Sequence, residues 1–79
     1  MLREWSVSRS AREHMLRKHG VSVHELEEVL GGQPQVRTGK KRDGEQRYYV
    51  VGRTEAGRKL IVIFRLFAGT GEIITAWEV

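Results

Sequence analysis

The stretch Arg58-Lys59-Leu60-Ile61-Val62-Ile63-Phe64-Arg65-Leu66-Phe67 decides the fold. Leu60 to Phe64 is an unbroken apolar run, and Ile61, Val62 and Ile63 are β-branched. A strand with one wet face alternates apolar and polar residues, whereas this run is apolar on both faces. It therefore predicts a central strand covered on both sides, with Arg58, Lys59 and Arg65 marking its ends.

Working outward, Gln46 to Gly52 is rich in Tyr and Val and reads as a strand. Alternation sends Arg47, Tyr49 and Val51 one way and Gln46, Tyr48 and Val50 the other. The segments Arg53-Thr54-Glu55-Ala56-Gly57 and Ala68-Gly69-Thr70-Gly71 read as hairpin connections, and Glu72 to Val79 as the last strand. Pro34 bars helix, and residues 35–38, with Val36 alone among polar neighbours, suggest an edge strand. The run from Thr38 to Gly44 holds two glycines and a cluster of charges and reads as an exposed turn.

Toward the N-terminus, Trp5 to Val7 allows a short strand. Ser10-Ala11-Arg12-Glu13 predicts a capping box opening a helix that runs to about His19, with Gly20 as its left-handed stop. Ser22-Val23-His24-Glu25 is a second capping box, and Gly31-Gly32 ends the second helix. Val23, Leu26, Val29 and Leu30 form its apolar face. The expected fold is α+β: two N-terminal helices on a three- to four-stranded antiparallel meander, with Met15, Leu16, Leu26, Val29 and Leu30 packed on one sheet face. The other face keeps Tyr, Trp and Arg side chains as a binding surface or a dimer interface.

Seventy-nine residues make a single domain spanning 1–79, with a core small enough that tight packing or self-association is needed to complete it. The absence of cysteine excludes disulfides and thiolate zinc sites. No N-terminal run resembles a signal peptide and no apolar run approaches a bilayer span, so no membrane association and a cytoplasmic location are expected. The net charge of +4 is unevenly placed. Residues 37–65 carry nine bases against three acids, a local excess of six positive charges that suits a polyanion such as RNA or an acidic protein.

Lys18-His19-Gly20-Val21-Ser22, then Glu25 and Glu28-Val29-Leu30, resembles the opening of the BrnT family of small ribonuclease toxins. The resemblance continues through Glu45-Gln46-Arg47, Gly52-Arg53-Thr54, Gly57-Arg58-Lys59-Leu60 and the closing Ile74-Thr75-Ala76. It covers about Trp5 to Trp77, and the order and spacing of these short motifs carry it more than any one of them. The resemblance implies a RelE-like fold, RNA cleavage, and an antitoxin partner of a type II system. Lys18 and His19 match the family's opening basic pair, Glu45 and Arg47 its Glu–Arg element, and Arg58 the arginine entering the central strand. One departure stands at the end: Trp77 occupies the place where the family usually has an arginine.

RNA cleavage of this kind uses the ribose 2′-hydroxyl as nucleophile and needs a base, cations around the phosphate and an acid, with no metal and no cofactor. His19, Glu45 and Arg58 are the expected catalytic residues. Lys18, Arg47, Arg53 and Arg65 are the expected phosphate contacts, and Tyr49 a base contact. His14, His19 and His24 repeat every five residues, which does not match metal-ligand spacing on one helix, so no metal site is expected. The alternative reading is a non-catalytic RNA-binding or protein-interaction module of the same fold, or a homodimer, which the Trp77 departure favours.

Overall fold

The computed structural model describes residues 4–79. Its elements run β1 (Trp5–Val7), α1 (Arg9–His19), α2 (Val23–Gly31), β2 (Gln35–Arg42), β3 (Glu45–Arg53), β4 (Lys59–Phe67) and β5 (Thr70–Glu78). The strands form one sheet in the order β1-β5-β4-β3-β2. Strands β2 to β5 are the antiparallel meander, and β1 adds a fifth strand parallel to β5, from Trp5 opposite Gly71 to Val7 opposite Ile73. The sheet is therefore five-stranded and mixed, larger than the expected three- to four-stranded antiparallel one. Three residues carry too little pattern to announce a strand alone; pairing to β5 makes them one.

β4 holds the centre of the strand order, as its apolar run requires. Only one of its faces is fully covered. Leu60, Val62 and Phe64 are buried with Met15, Leu26, Val29 and Leu30 from the helices, while Ile61 and Ile63 on the other face are half-buried. This corrects the expectation of cover on both sides. The second apolar row is screened instead by cross-strand neighbours, Tyr49 and Thr75 beside Ile63, Val51 and Trp77 beside Ile61. The two adjacent tyrosines separate as alternation dictates: Tyr48 stacks on Phe64 with ring centroids 5.4 Å apart, and Tyr49 lies on the open face.

Helix α2 opens with the expected capping box, Ser22 Oγ accepting from the Glu25 N–H while a Glu25 carboxylate oxygen accepts from the Ser22 N–H. Helix α1 is capped by Ser8, not Ser10. Its Oγ accepts from the Ala11 N–H at 3.1 Å, and the helix starts two residues earlier than expected, directly after β1. Gly20, at φ 64°, closes α1 in the left-handed conformation open to glycine, and its N–H donates to the Leu16 carbonyl. Leu16 itself is exposed rather than packed on the sheet, because the neighbouring Met15 takes the core-facing position of that turn.

The charged run after Thr38 is also corrected from turn to strand. β2 continues to Arg42 through a bulge between Thr38 and Lys41, where the Gln46 side-chain amide donates to the Gly39 and Arg47 carbonyls. The reversal takes only Asp43 and Gly44, both at positive φ, the two-residue hairpin turn for which Asp-Gly is suited. β2 remains an edge strand, as expected.

Candidate active site

The register of the sheet orders the open face into rows. Val51, Ile61 and Trp77 form one row; Arg37, Tyr49, Ile63 and Thr75 the next; and Arg65 with Glu72 the third, which Arg47 joins by extension of the β3–β4 register. Helix α1 packs against β5, and where it meets this face it leaves an open cleft of about 780 Å³. His14 and His19 line it from the helix, and Arg47, Arg65, Glu72, Thr75 and Trp77 from the sheet.

Glu45 and Glu72 hold the two guanidinium groups in place. Arg65 donates from Nη1 to Glu45 at 2.9 Å and from Nη2 to Glu72 at 2.6 Å, and Arg47 Nη2 lies 3.3 Å from the other Glu45 oxygen. The Glu72 bond, then the Glu45 bond, pushes the Arg65 guanidinium further above its ordinary value, so it stays charged. Planar, fixed donors of this kind match phosphate oxygens. Arg47 Nε and Thr75 Oγ1 are both buried and have no hydrogen-bond partner among the described residues. His14 and His19 stand edge to face at 5.6 Å between ring centroids, and His19 lies 6.3 Å from the Trp77 ring.

The residues singled out by sequence divide between the cleft and elsewhere. His19, Arg47 and Arg65 line it, and Glu45 is tied to both arginines. Tyr49 lies on the same face, one row away. Arg53 sits at the far end of β3, its Nη1 donating to the Gly57 carbonyl, and Lys18 is exposed on α1. Arg58 does not line the cleft. It donates to Glu25 at 2.6 Å, to Glu78 at 3.2 Å and to the Gly20 carbonyl at 3.1 Å, so it pins the helix corner to the end of β5. Thr54, buried in the β3–β4 connection, accepts from the Arg58 N–H and fixes where that side chain starts.

His14, Glu72 and Thr75 also share the cleft; the sequence shows His14 only in the histidine spacing and Thr75 only in the closing motif, with no site role for any of the three. His14 and His19 stand five apart, about 140° around a helix, and nothing local shows that β5 passes beside both. His24 goes elsewhere, to Glu28 at 3.2 Å. No group of three or more His, Cys, Asp or Glu suited to a metal ion occurs among the described residues. No helix there is long and apolar enough to cross a membrane.

The fold is similar to that in the crystal structure of the Brucella abortus ribonuclease toxin BrnT, with a TM-score of 0.69 at 15% identity over 96% of this chain and 95% of that one. A search of curated proteins finds no match. The family model described as the ribonuclease toxin, BrnT, of type II toxin-antitoxin systems matches residues 5–78. This chain belongs to that family, the BrnT ribonuclease toxins of type II toxin-antitoxin systems, which makes it a toxin-like ribonuclease with a cognate antitoxin.

Proposed function

We propose that the α1–β5 cleft is where this chain holds and cuts RNA, in the cytoplasm, by attack of the ribose 2′-oxygen on the adjacent phosphorus. A base takes the 2′-hydroxyl proton, the bond from phosphorus to the 5′-oxygen breaks, and an acid returns a proton to that oxygen, leaving a 2′,3′-cyclic phosphate and a 5′-hydroxyl. The convergence of His14 and His19 with Arg47 and Arg65 in one cleft carries this reading. The imidazoles handle protons and the guanidinium groups stabilise charge on the phosphate.

Glu45 takes a positioning role, since its carboxylate oxygens lie against Arg65 and Arg47. Arg58 is assigned to holding the fold, given its three partners at the helix corner. The basic β2 edge, with Arg37, Lys40, Lys41 and Arg42, extends the cationic surface for the strand beyond the cleft. Exposure of the consecutive Leu66 and Phe67 near the β4–β5 turn favours a second role for this end of the sheet, as a contact for the antitoxin.

Purified protein is incubated with messenger RNA in a chelating buffer, beside Arg65→Ala and His19→Gln variants whose melts match the parent. Cleavage that falls at least tenfold in both variants is the expected result. Cleavage retained in both places the chemistry elsewhere. RNA bound but uncut by the parent, with log affinity falling as log salt rises, identifies a binding module.

A further inference from the structure

Trp77 is the large aromatic of the cleft, and the core does not use it. The packed cluster is built from Met15, Leu26, Leu30, Leu60, Phe64 and their neighbours, with Trp5 rather than Trp77 against its margin. Trp77 lies instead half-buried on the open sheet face, opposite Ile61. Its aromatic neighbour His19 is tilted by 46° at 6.3 Å, so the imidazole flanks the indole without stacking on it.

What surrounds the ring is ordered along the strand. Trp77 shares its row with Ile61, Thr75 stands one row on, and Arg65 and Arg47 stand a row beyond that. From Ile61 to Arg65 is about 13 Å at a strand rise of ~3.3 Å per residue. The sequence of groups is an aromatic platform, the Thr75 side chain, then two guanidinium groups held by Glu45 and Glu72. An indole offers a face to a base, and guanidinium groups offer hydrogen bonds to phosphate.

We propose that Trp77 is a base-stacking platform, so that the cleft takes single-stranded RNA with one unpaired base laid on the indole and a neighbouring phosphate on Arg65 and Arg47. This rests on the RNA reading above and names the form of RNA that the site accepts. A base within a duplex is stacked on its neighbours and cannot lie on the indole, whereas a splayed single-stranded base can. Every base has a π-face, so the contact selects strandedness more than sequence.

The test uses a labelled oligoribonucleotide blocked at its 2′-oxygens by methylation, so that it binds without being cut, and an abasic analogue with the same phosphates. Affinities are read by fluorescence polarisation at one fixed salt concentration, with a duplex of the same sequence as a third ligand. A stacked base contributes about tenfold in affinity. The oligonucleotide is expected to bind about tenfold tighter than both the abasic analogue and the duplex, Trp77→Phe to keep most of that difference, and Trp77→Ala to lose it. In a Trp5→Phe background, where Trp77 is the sole indole, the base-containing strand alone quenches its fluorescence. Equal affinity for the base-containing and abasic strands overturns the proposal, with no variant needed. So does a folded Trp77→Ala protein that still prefers the base. Cleavage assays separate the two readings: stacking without cleavage sinks only the nuclease assignment, and cleavage with KM unchanged in Trp77→Ala sinks only the platform.

Discussion

Replacing Val62 with Asp tests the sheet's two faces at their centre, and Ile63→Asp is its matched control on the opposite face. Val62 is fully buried between the helices and the sheet, with Val50 and Ala76 opposite it on the flanking strands. Removing the apolar side chain forfeits about 1.5–3 kcal/mol of burial. An aspartate there has no cation beside it among the buried residues, and an uncompensated interior charge costs several kcal/mol more. A chain of 79 residues has a total stability of about 4–12 kcal/mol, at 0.05–0.15 kcal/mol per residue. The variant is therefore expected to be unfolded or close to it at neutral pH. Ile63 is half-buried and faces the open side, where a carboxylate keeps its water; the loss there is about 1–2 kcal/mol from reduced burial and strand preference. Far-ultraviolet circular dichroism melts at neutral pH read both. A cooperative Val62→Asp melt within a few degrees of the parent, or an Ile63→Asp variant that is equally damaged, would refute the assignment of the two faces.

Gly52→Ala would place a Cβ 2.9 Å from Val29 Cγ1 on buried α2. Overpacking of this kind costs about 1–3 kcal/mol, so Tm should fall by roughly 4–8 °C per kcal/mol, and an unchanged or higher Tm counts against this helix–sheet contact. Burial pushes the Glu25 carboxyl up, but the Ser22 N–H and the Arg58 guanidinium outweigh it, leaving its pKa below the ordinary value of 4.5. A depressed folded-state pKa means the stabilisation is present above about pH 4.5 and is lost as pH falls through the folded value. Glu25→Gln should thus be less stable than the parent at pH 7, with the gap closing toward pH 3; a gap independent of pH in urea titrations goes against this. Arg58→Ala should lower Tm by freeing the helix corner, yet leave cleavage per folded molecule close to the parent when assayed well below its Tm. A large loss of activity in that folded protein would return Arg58 to the chemistry.

The sequence by itself determined the elements whose signals are local. The apolar run from Leu60 to Phe64 required the central strand, and Ser22 with Glu25 fixed the start of α2, since a cap is decided within four residues. The opening motif from Lys18 to Ser22 and those that follow it led to the family in which the chain belongs. Alternation correctly divided Tyr48 from Tyr49. Tertiary structure decided what depends on partners distant in the chain. Trp5 to Val7 is a strand only because β5 is there to pair with, and the run after Thr38 is a strand because Gln46 satisfies the bulge from across the hairpin. Arg58 and Arg65 flank the same apolar run in sequence, yet they end on different carboxylates in different places. Arg58 joins the helix corner to β5, and Arg65 enters the cleft beside residues from α1, because cross-strand register and helix packing, not spacing along one segment, choose which charges meet.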